Sequence, residues 1–128
     1  MQEPDSSDNV TLLVIDDDSQ VRALCRKCLV RAGFRVLEAD NGFEALLIAS
    51  NHEGLIDLLI TDVELPHIRG SEVAQAFKAL WPRTRVLLIS ESCSQSVRGD
   101  LVLDAAFLPK PFLPDQLLKT VRSLVAAS

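Results

Sequence analysis

Three consecutive aspartates, Asp16, Asp17 and Asp18, follow directly on the apolar run Leu12 to Ile15 in the stretch LLVIDDDSQVR. Three later apolar runs also end on a polar group: Asp62 in LLITDVELP, Ser90 in VLLISES and Lys110 in FLPKPF. If these ends share one rim, two carboxylates within about 4 Å repel by roughly 4 kcal/mol at an effective dielectric near 20. A marginally stable domain does not carry that cost without a compensating cation. Oxygen ligands with no His or Cys among them favour Mg2+ over zinc, and Mg2+ takes one or two carboxylates together with water and phosphate oxygens. The negative charges of Asp16, Asp17 and Asp62 balance those of Lys110 and one Mg2+. Such a site is suited to a phosphoryl group, whose added charge the metal and Lys110 would share.

These residues act together only if the chain between them returns each one to the same edge. Thr11 to Ile15 is a short continuous apolar run, and Val21, Leu24, Cys25, Cys28 and Leu29 then recur at helical spacing up to Gly33, a natural stop. FRVLEA, Phe34 to Ala39, predicts a second strand, and Asn41-Gly42 a turn into the helical FEALLIASNH. IDLLIT, Ile56 to Thr61, predicts a third strand, and Val73, Ala76, Phe77 and Leu80 form a helical stripe before Pro82. RVLLIS, Arg85 to Ser90, is a fourth strand, followed by a weak helical pattern around residues 92–104. AAFLP is a short fifth strand, and Leu117, Leu118, Val121, Leu124 and Val125 mark a last helix starting near Pro114. Five strands alternating with five helices predict an α/β, doubly wound parallel sheet covered on both faces. The near-continuous Val, Leu and Ile content of the strands agrees, because strands buried on both sides need no polar alternation. In open parallel sheets ligands sit beyond the carboxyl ends of the strands, where all the singled-out residues fall.

At 128 residues the chain reads as one domain over 11–126, behind a polar leader at 1–10. A net charge of −5 argues against nucleic-acid binding, which needs clustered Lys and Arg. No apolar run approaches the ~18 residues of a membrane span, and the acidic opening MQEPDSSDNV is unlike a signal peptide, so a cytoplasmic location is expected. Cys25 and Cys28 could be a redox or metal pair, but their helical spacing reads better as small core residues, and with Cys93 no zinc set is completed. His67 reads as an exposed loop residue and His52 as a group favoured by a helix end.

The ordered set of Asp-Asp, a single Asp, Ser and Lys-Pro, each at a strand end, resembles the receiver domain of bacterial two-component response regulators over about Leu12 to Val125. The resemblance implies a flavodoxin-like five-stranded sheet of order 2-1-3-4-5. It implies that Asp62 is the phosphoacceptor, that Asp16 and Asp17 with Asp62 and the backbone carbonyl of Glu64 hold Mg2+, and that Lys110 contacts the phosphoryl oxygens. Ser90 would be the switch hydroxyl and Phe107 the aromatic that turns inward behind it, repacking the surface of the fourth helix, fifth strand and fifth helix. A cis peptide at Lys110-Pro111 is implied as well. The phosphoryl donor would be a histidine kinase or a histidine phosphotransfer protein. A downstream protein or output domain would read the switched surface, and phosphorylation could drive homodimerisation. The chain would be no turnover enzyme, its chemistry being limited to its own phosphorylation and dephosphorylation. It would be either free-standing or cut from a hybrid kinase or larger regulator.

Two rivals stand beside this reading. A haloacid-dehalogenase-like phosphatase would use Asp16 and Asp18 but needs a later acidic pair, where only Asp115 follows, and leaves Asp62 idle. A receiver fold could also serve as an interaction module without phosphorylation. For Asp18 and Ser19 helix capping is explanation enough. Glu91 occupies a position where the family usually has a small residue, and Glu64 adds another carboxylate. Both place negative charge beside an anion site, so Glu91→Gln is expected to speed phosphorylation and weaken Mg2+ binding, measured side by side with the parent. An unchanged rate would mean that the Glu91 side chain only faces solvent.

Overall fold

A computed structural model describes residues 10–91 and 105–126. Five strands form one sheet: β1 (Thr11–Ile15), β2 (Arg35–Ala39), β3 (Leu58–Asp62), β4 (Arg85–Ser90) and β5 (Ala106–Pro109). All pairs are parallel and the order is β2-β1-β3-β4-β5. Four helices lie within the described residues: α1 (Ser19–Arg31), α2 (Gly42–Asn51), α3 (Gly70–Leu80) and α4 (Pro114–Ala126). The remaining predicted helix, over 92–104, lies outside the described residues.

The two-residue period of the strands divides the core. Leu13, Ile15, Leu59, Val86 and Leu88 face α2 and α3, where Ala45, Ala49, Val73, Ala74 and Phe77 meet them. Leu12, Val14, Leu58, Ile60, Leu87 and Ile89 face α1 and α4, against Cys25, Leu29, Leu117 and Val121. β1 therefore needs no polar position, because both of its faces are covered.

Element ends follow local chemistry. Asp18 caps α1, its carboxylate accepting from the Gln20 amide at 2.9 Å. Asn41 caps α2 by accepting from the Glu44 amide at 2.8 Å. Gly33 takes φ 99°, a left-handed conformation suited to glycine, and closes α1. Phe34 accordingly stays outside β2 as a buried residue whose amide bonds back to Leu29. β3 begins two residues later than the apolar pattern suggests. Asp57 leaves the ladder to clamp β1: its carboxylate accepts from the Thr11 amide at 2.9 Å, while its own amide donates to the Thr11 carbonyl at 2.9 Å. The same strand runs through Asp62, so this carboxylate belongs to the strand's last residue. On α3 the core face uses Ala74, and Leu80, expected inside, is 62% exposed at the helix end.

Phe77 is fully buried between the sheet and α2, its ring 5.0 Å from that of Trp81. Truncation to Ala leaves a cavity that a close-packed core fills poorly, so Phe77→Ala is expected to cost about 3–5 kcal/mol in urea unfolding.

Candidate functional site

Parallel pairing sets the carboxyl ends of β1, β3, β4 and β5 side by side, and with them Asp16, Asp62, Ser90 and Lys110. The Lys110 ammonium lies between two strands' carboxylates, donating to Asp62 Oδ2 at 2.9 Å and to Asp16 Oδ2 at 3.0 Å. The other oxygen of each carboxylate accepts a backbone amide two residues further on. Asp18 donates to Asp16 Oδ1 and Glu64 to Asp62 Oδ1, both at 2.9 Å. Asp16 is buried and Asp17 exposed, a split that follows from successive side chains leaving the end of β1 in opposite directions.

Burial raises the pKa of Asp16, and the Asp18 amide and Lys110 only partly offset it. Burial also opposes the charge on Lys110, but its hydrogen bonds to Asp62 and Asp16 outweigh that and hold its pKa above the usual lysine range. Oxygens of Asp16, Asp17 and Asp62 all lie within 4.8 Å of one another, the one cluster among the described residues able to enclose a metal. Three carboxylates against one ammonium leave two negative charges, and the donors are all oxygen, so the residues fit a hard divalent cation such as Mg2+. Above them opens a cleft of about 290 Å³ lined by Asp17, Asp18, Asp62, Glu64, Glu91 and Lys110.

The candidate site residues are thus placed. Asp16, Asp17, Asp62 and Lys110 converge, and Glu64 and Glu91 line the same cleft, both with exposed side chains. Ser90 is buried one residue beyond Ile89, the register partner of Asp62, and its carbonyl accepts from the Lys110 amide at 2.8 Å. Phe107 is half-buried, pairs in register with Leu88 and packs on the core beneath α2 and α3. The Lys110-Pro111 peptide is cis. Asp115 lies elsewhere, in a cleft with Cys28 and Arg31, and so contributes nothing to a phosphatase acid set. Cys25 is a core residue whose thiol is pushed up to about 12, by burial first and then by the charge of Asp16. Cys93 lies outside the described residues. His67 is exposed with φ 72°, and His52 ends α2.

One contributor escaped the sequence reading. Gly70 opens α3 directly behind Asp62; its amide donates to the Val63 carbonyl at 2.9 Å, and a β-carbon there would overlap the Asp62 carbonyl. Its signal was slight: a single glycine at the first helical position of α3, after the N-cap Arg69.

Similarity to known proteins agrees with this geometry. The family model for the response regulator receiver domain matches residues 12–122. The chain is 37% identical over 122 residues to the response regulator MprA of Mycobacterium sp. (strain KMS), covering 91% of this chain and 50% of that protein. It is 31% identical over 123 residues to the sensor kinase CckA of Brucella abortus, covering 94% of this chain and 13% of the kinase. Among solved structures, the chemotaxis response regulator CheY4 of Vibrio cholerae superposes with a TM-score of 0.82 at 29% identity, covering 90% of this chain and 98% of that one. The fold is therefore the flavodoxin-like α/β class with strand order 2-1-3-4-5. The chain belongs to the response regulator receiver domains of two-component signalling. It spans half the length of the MprA regulators it matches. No helix among the described residues is long and apolar enough to cross a membrane.

The raised pKa of Asp16 has a definite sign. The stabilisation that comes from its folded-state proton is present below the unfolded value near 3.8 and is lost as pH rises through the raised folded value. At neutral pH without metal, the ionised group therefore opposes folding. Asp16→Asn is expected to raise the urea midpoint at pH 7 in a chelator, with the gain shrinking toward zero below about pH 4. A lowered midpoint at pH 7 would contradict this.

Proposed function

We propose that this receiver domain takes a phosphoryl group from the phosphohistidine of a histidine kinase or phosphotransfer protein onto Asp62. The observation that carries the reading is the single ammonium of Lys110 held within 3.0 Å of carboxylates from two different strands, at the mouth of an acidic cleft. Asp16, Asp17, Asp62 and the carbonyl of Glu64 would hold Mg2+, which when bound neutralises charge on the incoming phosphoryl oxygens.

An oxygen of Asp62 attacks phosphorus, the bond from phosphorus to the donor's imidazole nitrogen breaks, and the nitrogen keeps that electron pair. A carboxylate is a weak nucleophile, so positioning and charge neutralisation must supply most of the rate. The Glu64 amide fixes one oxygen of Asp62, and Gly70 lets α3 pack closely behind the residue. Lys110 is charged throughout the physiological range and stands ready to bind a phosphoryl oxygen. The acyl phosphate then carries more charge and more acceptor oxygens than the carboxylate did. Ser90, beside Asp62 on the next strand, would turn its hydroxyl toward that group, and Phe107 would move into the space behind it. A downstream protein or an output domain in the same polypeptide would bind the altered face, with a second receiver copy as a further candidate. Residues 11–126 would form the unit that does this.

Incubation with acetyl phosphate and Mg2+ followed by intact mass tests the assignment. The parent should gain the mass of one phosphoryl group and Asp62→Asn none, while Lys110→Ala should be phosphorylated about a hundredfold more slowly or worse. An adduct persisting in Asp62→Asn, or mapping to Asp16 as a phosphatase would require, would refute the reading.

A further inference from the structure

Arg22 has no part in the chemistry just described, yet its guanidinium is tied to the acidic turn. Its Nη1 donates to the backbone carbonyl of Asp16 at 2.7 Å, and its Nε lies 3.5 Å from Glu38 Oε1 on β2. Glu38 is also held by Arg26, whose Nε is 3.2 Å from Oε2. The Arg22 side chain is only 22% exposed, so this is no loose surface pair. Helical side chains lean toward the helix N-terminus, which lets a residue one turn into α1 reach the turn before it.

β2 holds the other side of Asp16. Val14 pairs in register with Glu38 and Ile15 with Ala39, and the Ala39 carbonyl accepts from the Asp16 amide at 3.3 Å. The Asp16 backbone is thus fixed at its N–H by β2 and at its carbonyl by a guanidinium that β2 itself anchors. The plane of the peptide joining Asp16 to Asp17 sets the direction in which Asp17 leaves the strand, and so where its carboxylate stands relative to Asp16 and Asp62.

We propose that Arg22, oriented by Glu38, is a positioning residue for the cation site: it locks the Asp16–Asp17 peptide so that the Asp17 carboxylate joins those of Asp16 and Asp62. The proposal rests on the reading of these aspartates as Mg2+ ligands. The sign of the charge makes it testable. A guanidinium near a cation site repels the cation, so if charge alone mattered, removing it would tighten Mg2+ binding. Positioning demands the opposite, and loss of a group that orients a metal ligand typically weakens affinity about 10- to 100-fold. Lysine keeps the charge but lacks the rigid planar fork that serves two acceptors at once.

Calorimetric titration of the metal-free chain with MgCl2 tests this in the parent, Arg22→Met, Arg22→Lys and Asp17→Asn, each first shown to be folded by far-UV circular dichroism. Arg22→Met should bind Mg2+ about tenfold more weakly or worse, Arg22→Lys should fail to restore the parental value, and Asp17→Asn should be impaired as well. Parental or tighter binding by Arg22→Met, with Asp17→Asn impaired, overturns the role of Arg22 and leaves the metal site standing. Parental binding by Asp17→Asn overturns the metal site and the proposal together. Full rescue by Arg22→Lys overturns the part assigned to Glu38. Should Arg22→Met fail to fold, Arg22→Lys alone decides, since it preserves charge and most of the side-chain length.

Discussion

The structure of this rim depends on keeping like charges close together. Asp16 and Asp62 come from different strands, and both bond to the same ammonium, that of Lys110, at 3.0 and 2.9 Å. Neither carboxylate is left without partners, because each has its second oxygen on a backbone amide. Asp17 stands exposed beside them with one ammonium already shared out, and the surplus of two negative charges is what a divalent cation would meet. Electrostatic cost is thereby concentrated at one place and left partly uncompensated, as binding sites require.

The framework around this cluster is stiff where it needs to be. β1 and β3 are buried along their whole length, and two layers of helices lock their register. A shift by one residue would reverse every side chain of a strand and send Asp62 to the wrong face. The backbone supports come from less conspicuous residues. Gly70 opens α3 against the Asp62 carbonyl, Asp57 clamps the start of β1, and Arg22 reaches back to the Asp16 carbonyl. None of these is among the residues lining the cleft, yet each fixes backbone at or beside a strand that carries an aspartate of the rim.

The chemistry of the cleft departs from a minimal acid site in one respect. Glu64 and Glu91 line it together with Asp17, Asp18 and Asp62, so its mouth is more negative than the aspartates alone would make it. That field favours a cation and opposes an anion at the mouth.

The amino-acid pattern determined a great deal here. Alternating apolar runs and helical stripes are enough to specify a parallel sheet, because a strand without polar positions must be covered on both sides and a crossover helix is the covering available. The polar residue ending each run is equally plain, and the order of these residues points to the family. What pattern could not supply was any particular contact between one element and another. Asp57 reads as part of a strand until β1 is seen to need a clamp, and Leu80 reads as core until it is seen exposed as the last residue of α3. Gly70 and Arg22 gain meaning only when the carbonyls of Asp62 and Asp16 arrive beside them. Sequence periodicity reports which face of an element is apolar, whereas a hydrogen bond to a particular carbonyl is fixed only once two elements have packed.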